Sequence, residues 1–228
     1  MIVYGKQIFL YLLQRHPSLI QKVYLSKEID KKLFSKVVSL GVDIVRVDNK
    51  KAQAMARGGN HQGFLLEVQE YEFSTLKDIK NGDFVLVLAG LTDVGNIGAI
   101  IRTAYSLGVD GVIVSMINTL NISAVARTSS GALFDMPVVL QKDIGTVINE
   151  LKQASFDVYC ADMDGEDVRE LVCSGKRALV LGSEGEGLPN RVLKSCDKKI
   201  KIKMQREFDS LNVSVACAIL CDRMRDGK

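Results

Sequence analysis

The chain has 228 residues, 47% of them hydrophobic and 25% charged, which is enough apolar material for one large domain or two small ones. Those proportions describe an ordinary soluble globular protein, and no apolar stretch approaches the roughly 20 residues of a membrane span. The net charge of +3 is uneven: residues 1–80 carry 13 basic against 8 acidic side chains, whereas 81–228 carry 17 against 19. A basic N-terminal third (+5) beside a near-neutral remainder (−2) suggests a polyanion-facing module attached to something else.

The first residues, MIVYGKQIFLYLLQRHP, lack the basic lead and cleavage site of a signal peptide, so a cytoplasmic protein with no membrane partner is expected. Helical spacing predicts a helix over 5–15, and KVYLS (22–26) a strand. An amphipathic helix over 30–40 stops at Gly41. VDIVRV (42–47) reads as a strand, 49–57 as a short helix and GFLLEVQ (63–69) as a strand, completing a compact α/β unit. EYEFSTLKDIKNGD (70–83) is polar, ends in a turn, and reads as a linker. FVLVLAG (84–90) is a continuous apolar run, as in a strand buried on both faces of a parallel sheet. Helices are predicted at about 97–107, at the start of 123–133, at 143–154, at 189–195 and from 211 onward. Strands are predicted at 111–115, 137–140, 156–161, 177–182 and 199–203. This alternation predicts an α/β fold with an open parallel sheet, whose ligands bind at the carboxyl ends of strands.

The five cysteines (160, 173, 196, 217, 221) show no CxxC spacing, and with two histidines no metal site is expected. They read as small buried hydrophobes in a reducing compartment, with Cys217 and Cys221 four apart on one helix face.

Three junctions carry chemistry. After residue 90 a loop with Asp93, Gly95, Asn96 and Gly98 leads into a helix bearing Arg102. This is not a GxGxxG dinucleotide fingerprint, which opposes a nicotinamide-dependent oxidoreductase. Asn96 fits a helix N-cap, and Arg102 alone reads as an exposed helix arginine. After 182 comes GSEGEG, with Glu184 just past the strand; alone it reads as a glycine-rich turn with solvated glutamates. The third is SLNVSVA, where Ser210 fits an N-cap but Asn212 and Ser214 then need other partners.

Taken in order, NIGAIIRTA, LVLGSEGEGLP and SLNVSVA closely resemble the three motifs of the SPOUT-class RNA ribose methyltransferases, the TrmH/SpoU family, over roughly residues 84–226. Residues 1–70, with GGNHQGFL at 58–65, resemble the small substrate-binding domain of the branch that methylates a guanosine of large-subunit ribosomal RNA. The resemblance implies an RNA substrate-binding domain over 1–70, a linker over 71–83, and a methyltransferase domain over 84–228 threaded into a trefoil knot. It implies S-adenosylmethionine as methyl donor, held through Gly182, Gly187, Ile202, Met204 and Leu211, and transfer to a ribose 2′-hydroxyl without a metal. Arg102 matches the family's catalytic arginine. Asn96 would orient it or the ribose, Glu184 would position substrate or Arg102, and Ser210 and Asn212 form a polar pair near the donor. A homodimer and a large-subunit (23S) ribosomal RNA partner are implied, with His61 and Gln62 placed to reach RNA or to form a tight loop. Val94 and Lys203 stand where the family often has proline, which loosens both loops. A transfer-RNA ribose methyltransferase, a ribosomal-RNA resistance methyltransferase and an inactive RNA-binding assembly factor are the competing readings.

Overall fold

The computed structural model describes residues 1–183, 185, 187–206 and 210–225. In chain order they form β1 (Ile2–Tyr4), α1 (Lys6–Arg15), β2 (Ile20–Leu25), α2 (Lys31–Val38), β3 (Asp43–Arg46), α3 (Asn49–Met55) and β4 (Phe64–Val68). Then come α4 (Leu76–Ile79), β5 (Phe84–Ala89), α5 (Val94–Ser106), β6 (Gly111–Ser115), α6 (Ile122–Thr128), β7 (Val138–Gln141) and α7 (Ile144–Gln153). The last are β8 (Asp157–Asp167), β9 (Arg177–Leu181), α8 (Asn190–Leu193), β10 (Lys198–Lys201) and α9 (Val213–Arg225).

Two compact units emerge, and they do not follow a single cut in sequence. The first is Met1–Glu72 with Asn121–Gly131; the second is Phe73–Leu120 with the chain from Ala132 onward. In the first, a four-stranded sheet runs β1-β4-β2-β3, with β4 antiparallel to both neighbours and β2 parallel to β3. Helix α1 buries Ile8, Phe9 and Leu12, an i, i+1, i+4 stripe that faces the core. The Asp30 and Asp48 carboxylates cap α2 and α3, accepting from Leu33 N at 2.9 Å and Lys51 N at 2.7 Å. Gly41, at φ +71°, ends the turn after α2 in the left-handed region that its missing Cβ permits. Helix α6 packs against β1 and α1 in this unit. It stops at Thr128, so the stretch from 123 is helical at first as expected, and Ser130 and Gly131 then turn at φ +56° and +96°.

The second unit is a six-stranded, wholly parallel sheet in the order β10-β8-β9-β5-β6-β7. Every residue of β5 and β6 is buried, which is why their sequences are apolar runs rather than alternations. One face packs Val85, Val87, Ile113, Val139 and Val180 against Ile144, Val147, Ile148 and Leu151 of α7. The alternate side chains Leu86, Leu88, Val112, Val114 and Leu179 are equally buried. Each such burial stabilises by about 1.5–3 kcal/mol. On α5, Ile97, Ile100, Ile101 and Ala104 are buried, and α5 packs with α9.

The stretch read as a linker carries α4, started by a Thr75–Asp78 capping box, and its Ile79 lies in the sheet core. Two strand segments escaped the sequence reading. Residues 2–4 form β1, and β8 continues to Asp167, six residues beyond the predicted end. The cysteines need a correction. Cys160 and Cys196 are joined in a disulfide across a sequence separation of 36, with Cα atoms 6.1 Å apart, so they are not the reduced thiols expected. Cys173, Cys217 and Cys221 are free and buried, and the Cys217 and Cys221 sulfurs lie 3.7 Å apart on α9, one helix face as predicted. Among the described residues, no helix is long and apolar enough to cross a membrane.

Candidate active site

At the carboxyl ends of β9 and β10, beside the middle of β8, the second unit holds a cavity of about 570 Å³, within the roughly 300–1,000 Å³ typical of small-molecule sites. Its walls come from four segments: the middle of β8, the loop after β9, the segment after β10, and the approach to α9 with its first turns. Gly182, Gly187, Ile202, Met204, Ser210 and Leu211 all line it.

The glycines are structural necessities here. A Cβ on Gly182 would sit 2.4 Å from the Gly187 carbonyl carbon and 2.7 Å from Leu188 N. Two backbone segments therefore pass in direct contact, and Ser183 pairs with Gly187 in a short bridge (Gly187 N to Ser183 O, 3.1 Å). Gly187 itself stands at φ +65°. This close approach turns the chain back over the end of β9 and forms one wall from main chain, with polar groups at fixed positions.

Asn212, and not Ser210, caps α9. Its Oδ1 accepts from Ser214 N at 3.0 Å and from Ser214 Oγ at 2.5 Å. Ser214 thus finds its partner within the cap, and the helix starts at Val213 rather than 211. The Asn212 Nδ2 donates to Asn96 Oδ1 at 3.0 Å, joining the starts of α9 and α5 across 116 residues of chain. Asn96 is not the N-cap of α5 that the sequence suggested. Asp93 takes that place, accepting from Asn96 N at 2.7 Å, so the helix begins three residues earlier at Val94. A carboxylate matches the positive end of the helix dipole and leaves the Asn96 side chain free of capping duty. Val94 thereby occupies the first helical position, one that proline also suits.

Arg102 is exposed on α5 and is not among the residues lining the cavity. Six residues from Asn96, it projects about 120° away from it round the helix. Glu184 lies outside the described residues.

Sequence reasoning missed Ala161, Asp162 and Met163, which wall the cavity from β8. Beyond them, Asp167 at the end of β8 is buried and accepts from Arg169 Nε at 3.0 Å and Nη2 at 2.5 Å. The Arg169 side chain, then its backbone N–H, hold the Asp167 carboxyl down at about 2, and Lys203 adds attraction. Lys203 stands between the cavity residues Ile202 and Met204. The one signal for the missed wall was Gly165 amid the acidic DMDGED stretch, a strand glycine of the kind that marks a bulge.

Comparison with solved structures gives the fold. The AdoMet-bound SpoU methyltransferase AviRb from Streptomyces viridochromogenes superposes with a TM-score of 0.80 at 22% identity, over 98% of this chain and 88% of that one. An AdoMet-bound rRNA methyltransferase from Sinorhizobium meliloti matches with a TM-score of 0.77 at 24% identity, over 97% and 85%. Sequence comparison gives the family. The model of the SpoU rRNA Methylase family matches residues 83–222, and that for RNA 2′-O ribose methyltransferase substrate binding matches residues 2–74. A Staphylococcus aureus protein assigned to the TrmH family of tRNA/rRNA methyltransferases is 32% identical over 90% of this chain and 87% of its own. The 23S rRNA (guanosine-2′-O-)-methyltransferase RlmB of Haemophilus ducreyi is 30% identical over 95% and 94%. The chain belongs to the SpoU rRNA Methylase family.

Proposed function

We propose that this protein methylates a ribose 2′-hydroxyl of RNA with S-adenosylmethionine as donor, its target a guanosine of 23S ribosomal RNA. The observation that carries the reading is the convergence on one cavity of six residues, two each from the second and third motifs and two from the segment between them, with Asn96 of the first motif bonded to Asn212 beside it. The relative that covers 95% of this chain, named a 23S rRNA (guanosine-2′-O-)-methyltransferase, supports that choice of substrate.

The residues present fit the donor. The cavity is large enough, mostly apolar, and closed on one side by glycine backbone that any Cβ would displace. In this reading Gly182, Gly187, Ile202, Met204 and Leu211, which all line the cavity, hold the donor, and the AdoMet-bound structures of the same fold support that choice of donor. When bound, it supplies a methyl group already activated on a sulfonium. The protein's part is alignment and charge. Arg102, exposed and permanently cationic, clamps a phosphate of the RNA and offsets the charge developing on the 2′-oxygen. Asn96, fixed by Asn212, orients the ribose, and Ser210 faces it from the cavity wall. Glu184 keeps the role its motif implies, positioning substrate or Arg102. The first unit, with the substrate-binding family model over 2–74, brings the RNA.

Two further features belong to the same reading. A threaded, knotted path for the C-terminal segment, which the family resemblance implies, is part of it. A homodimer, which the family resemblance implies, belongs to it as well. Incubating the protein with labelled donor and unmodified ribosomal RNA, then mapping 2′-O-methylation by nucleotide, tests the whole proposal. Incorporation at one guanosine of the large-subunit RNA is expected; none into any RNA refutes it.

A further inference from the structure

The loop between α3 and β4 is built at a cost that the fold alone does not require. Gln62 stands at φ +52°, a left-handed conformation that a non-glycine residue adopts only under constraint, flanked by Gly58 at +81° and Gly63 at +85°. Gly59 is pressed so closely on the Tyr4 ring that a Cβ would lie 2.3 Å from its hydroxyl. The strain fixes two side chains. Gln62 Oε1 accepts from Lys6 N at the start of α1, at 3.0 Å. His61, only 6% exposed, accepts the Gly63 N–H through Nδ1 at 3.1 Å. An imidazole that accepts at Nδ1 carries its proton on Nε2 when neutral. His61 therefore keeps one donor for which no partner exists among the described residues.

That histidine lines a cavity of about 370 Å³ with Lys27, Asn49, Gln53, Asn60 and Gln62. Four carboxamides, one imidazole N–H, one ammonium and the Ser26 hydroxyl are its polar side-chain groups, and no carboxylate lines it. Lys27 is held over the Phe64 ring, 4.8 Å from the centroid. On the other side of the same loop lies a smaller cavity of about 190 Å³, which shares Asn60 and Gln62 and adds Lys6, Gln7 and Arg127. It opens at the N-terminus of α1, a ten-residue helix whose N-cap is Gly5 and offers no side-chain hydrogen bond. Arg127 stacks over the Tyr4 ring at 5.7 Å, and its Nε is buried without a hydrogen-bond partner among the described residues. A buried guanidinium donor left unmatched costs free energy that an anion beside it recovers.

The two cavities suit the two halves of one ligand. Carboxamides read the exposed edge of a base by paired donor and acceptor, which requires that the base be unpaired. A helix N-terminus flanked by two cations suits a phosphate. We propose that the Gly58–Gly63 loop and the start of α1 hold one unpaired nucleotide of the RNA, its base against His61 and its phosphate against Lys6 and Arg127. This rests on the RNA-directed function proposed above. It adds a second point of recognition, in the first unit, that reads RNA conformation.

The test uses the full chain labelled with nitrogen-15. Its only two histidines are His16 and His61, so a His16→Gln variant assigns the ring signals. A single-stranded tetranucleotide is expected to shift the His61 ring nitrogens and the Lys6–Ile8 amides, whereas inorganic phosphate shifts the amides alone. His61→Ala, and Lys27→Met, which keeps the packing on Phe64, should each weaken tetranucleotide binding at least tenfold and leave S-adenosylmethionine binding unchanged. In turnover they should raise KM for RNA with kcat retained. Tetranucleotide binding that leaves His61 and the α1 amides unmoved overturns the proposal, as does wild-type affinity in both variants. A protein that shows these shifts but transfers no methyl group upholds this site and refutes the proposed activity instead.

Discussion

Gly182→Ala probes the cavity wall by the smallest possible change. The added Cβ would sit 2.4 Å from the Gly187 carbonyl carbon, 2.5 Å from its oxygen and 2.7 Å from Leu188 N. Ordinary contact begins at 3.4 Å, so the Gly187 carbonyl must retreat by about 1 Å. All three obstacles are backbone, so no side chain can rotate away. Overpacking of this kind costs about 1–3 kcal/mol. Because the displaced atoms form the wall of the proposed donor site, the same range maps onto a dissociation constant raised about 5- to 150-fold. Isothermal titration with S-adenosylhomocysteine reads the affinity, and thermal denaturation followed by circular dichroism reads the stability. Gly145→Ala is the control. Its Cβ would meet Asp143 Oδ1 at 3.4 Å, within the first turn of α7, and gaining alanine there should leave stability equal or higher. If Gly182→Ala binds the ligand like the wild type and melts at the same temperature, the close passage is not what shapes the cavity.

Removing the Asn212 side chain should cost about 0.5–2 kcal/mol through loss of the α9 cap. In a double-mutant cycle with Asn96→Ala a coupling of about 0.5–1.5 kcal/mol is expected, and a coupling of zero would mean the 3.0 Å bond carries nothing. Arg102→Ala should abolish methyl transfer and spare donor binding, since Arg102 does not line the cavity; collapse of donor binding would refute its role as a phosphate clamp. The Asp167 carboxyl, lowered to about 2, contributes stability that is fully present above the ordinary carboxylate pKa and lost as pH falls through about 2. Carboxyl-detected NMR should place its midpoint there, and Arg169→Ala should move the midpoint upward. The Cys160–Cys196 bond closes a 36-residue separation, for which the chain-entropy model gives about 4 kcal/mol. Alkylation of the denatured protein should count three thiols before reduction and five after, with a lower melting temperature once reduced.

Much of the sheet was legible because its strands are buried on both faces and therefore written as apolar runs: FVLVLA, GVIVS and RALVL all became strands near the expected bounds. Helix starts were less legible. Asp93 and Asn96 are both good capping residues three apart, and periodicity cannot choose between them; the carboxylate took the cap because it best suits the helix dipole. At α9 the same ambiguity lay between Ser210 and Asn212. Asn212 won because one carbonyl oxygen there serves two Ser214 donors while its amide reaches Asn96, a partner 116 residues away that no local pattern reveals. The disulfide was hidden for the same reason, since Cys160 and Cys196 become neighbours only after β10 docks beside β8.

That docking also explains why there is a cavity at all. β10 pairs with β8 in two registers: Lys199 opposes Cys160, yet the next residue, Ile200, opposes Glu166. The residues between leave the ladder, and Ala161, Asp162 and Met163 swing out to become a wall. Gly165 lets the excursion close again, because a Cβ there would lie 2.5 Å from Ile200 N and 2.6 Å from Lys199 C. The Asp167–Arg169 pair then fixes the far end of β8. A regular strand would have continued the sheet edge and filled the space with paired backbone. The bulge instead spends six residues of β8 on one step of β10, and the gap it leaves is the pocket. Side chains in such a site are few and interchangeable while the glycines are not, so the residues that define it are the ones with least chemistry to announce them.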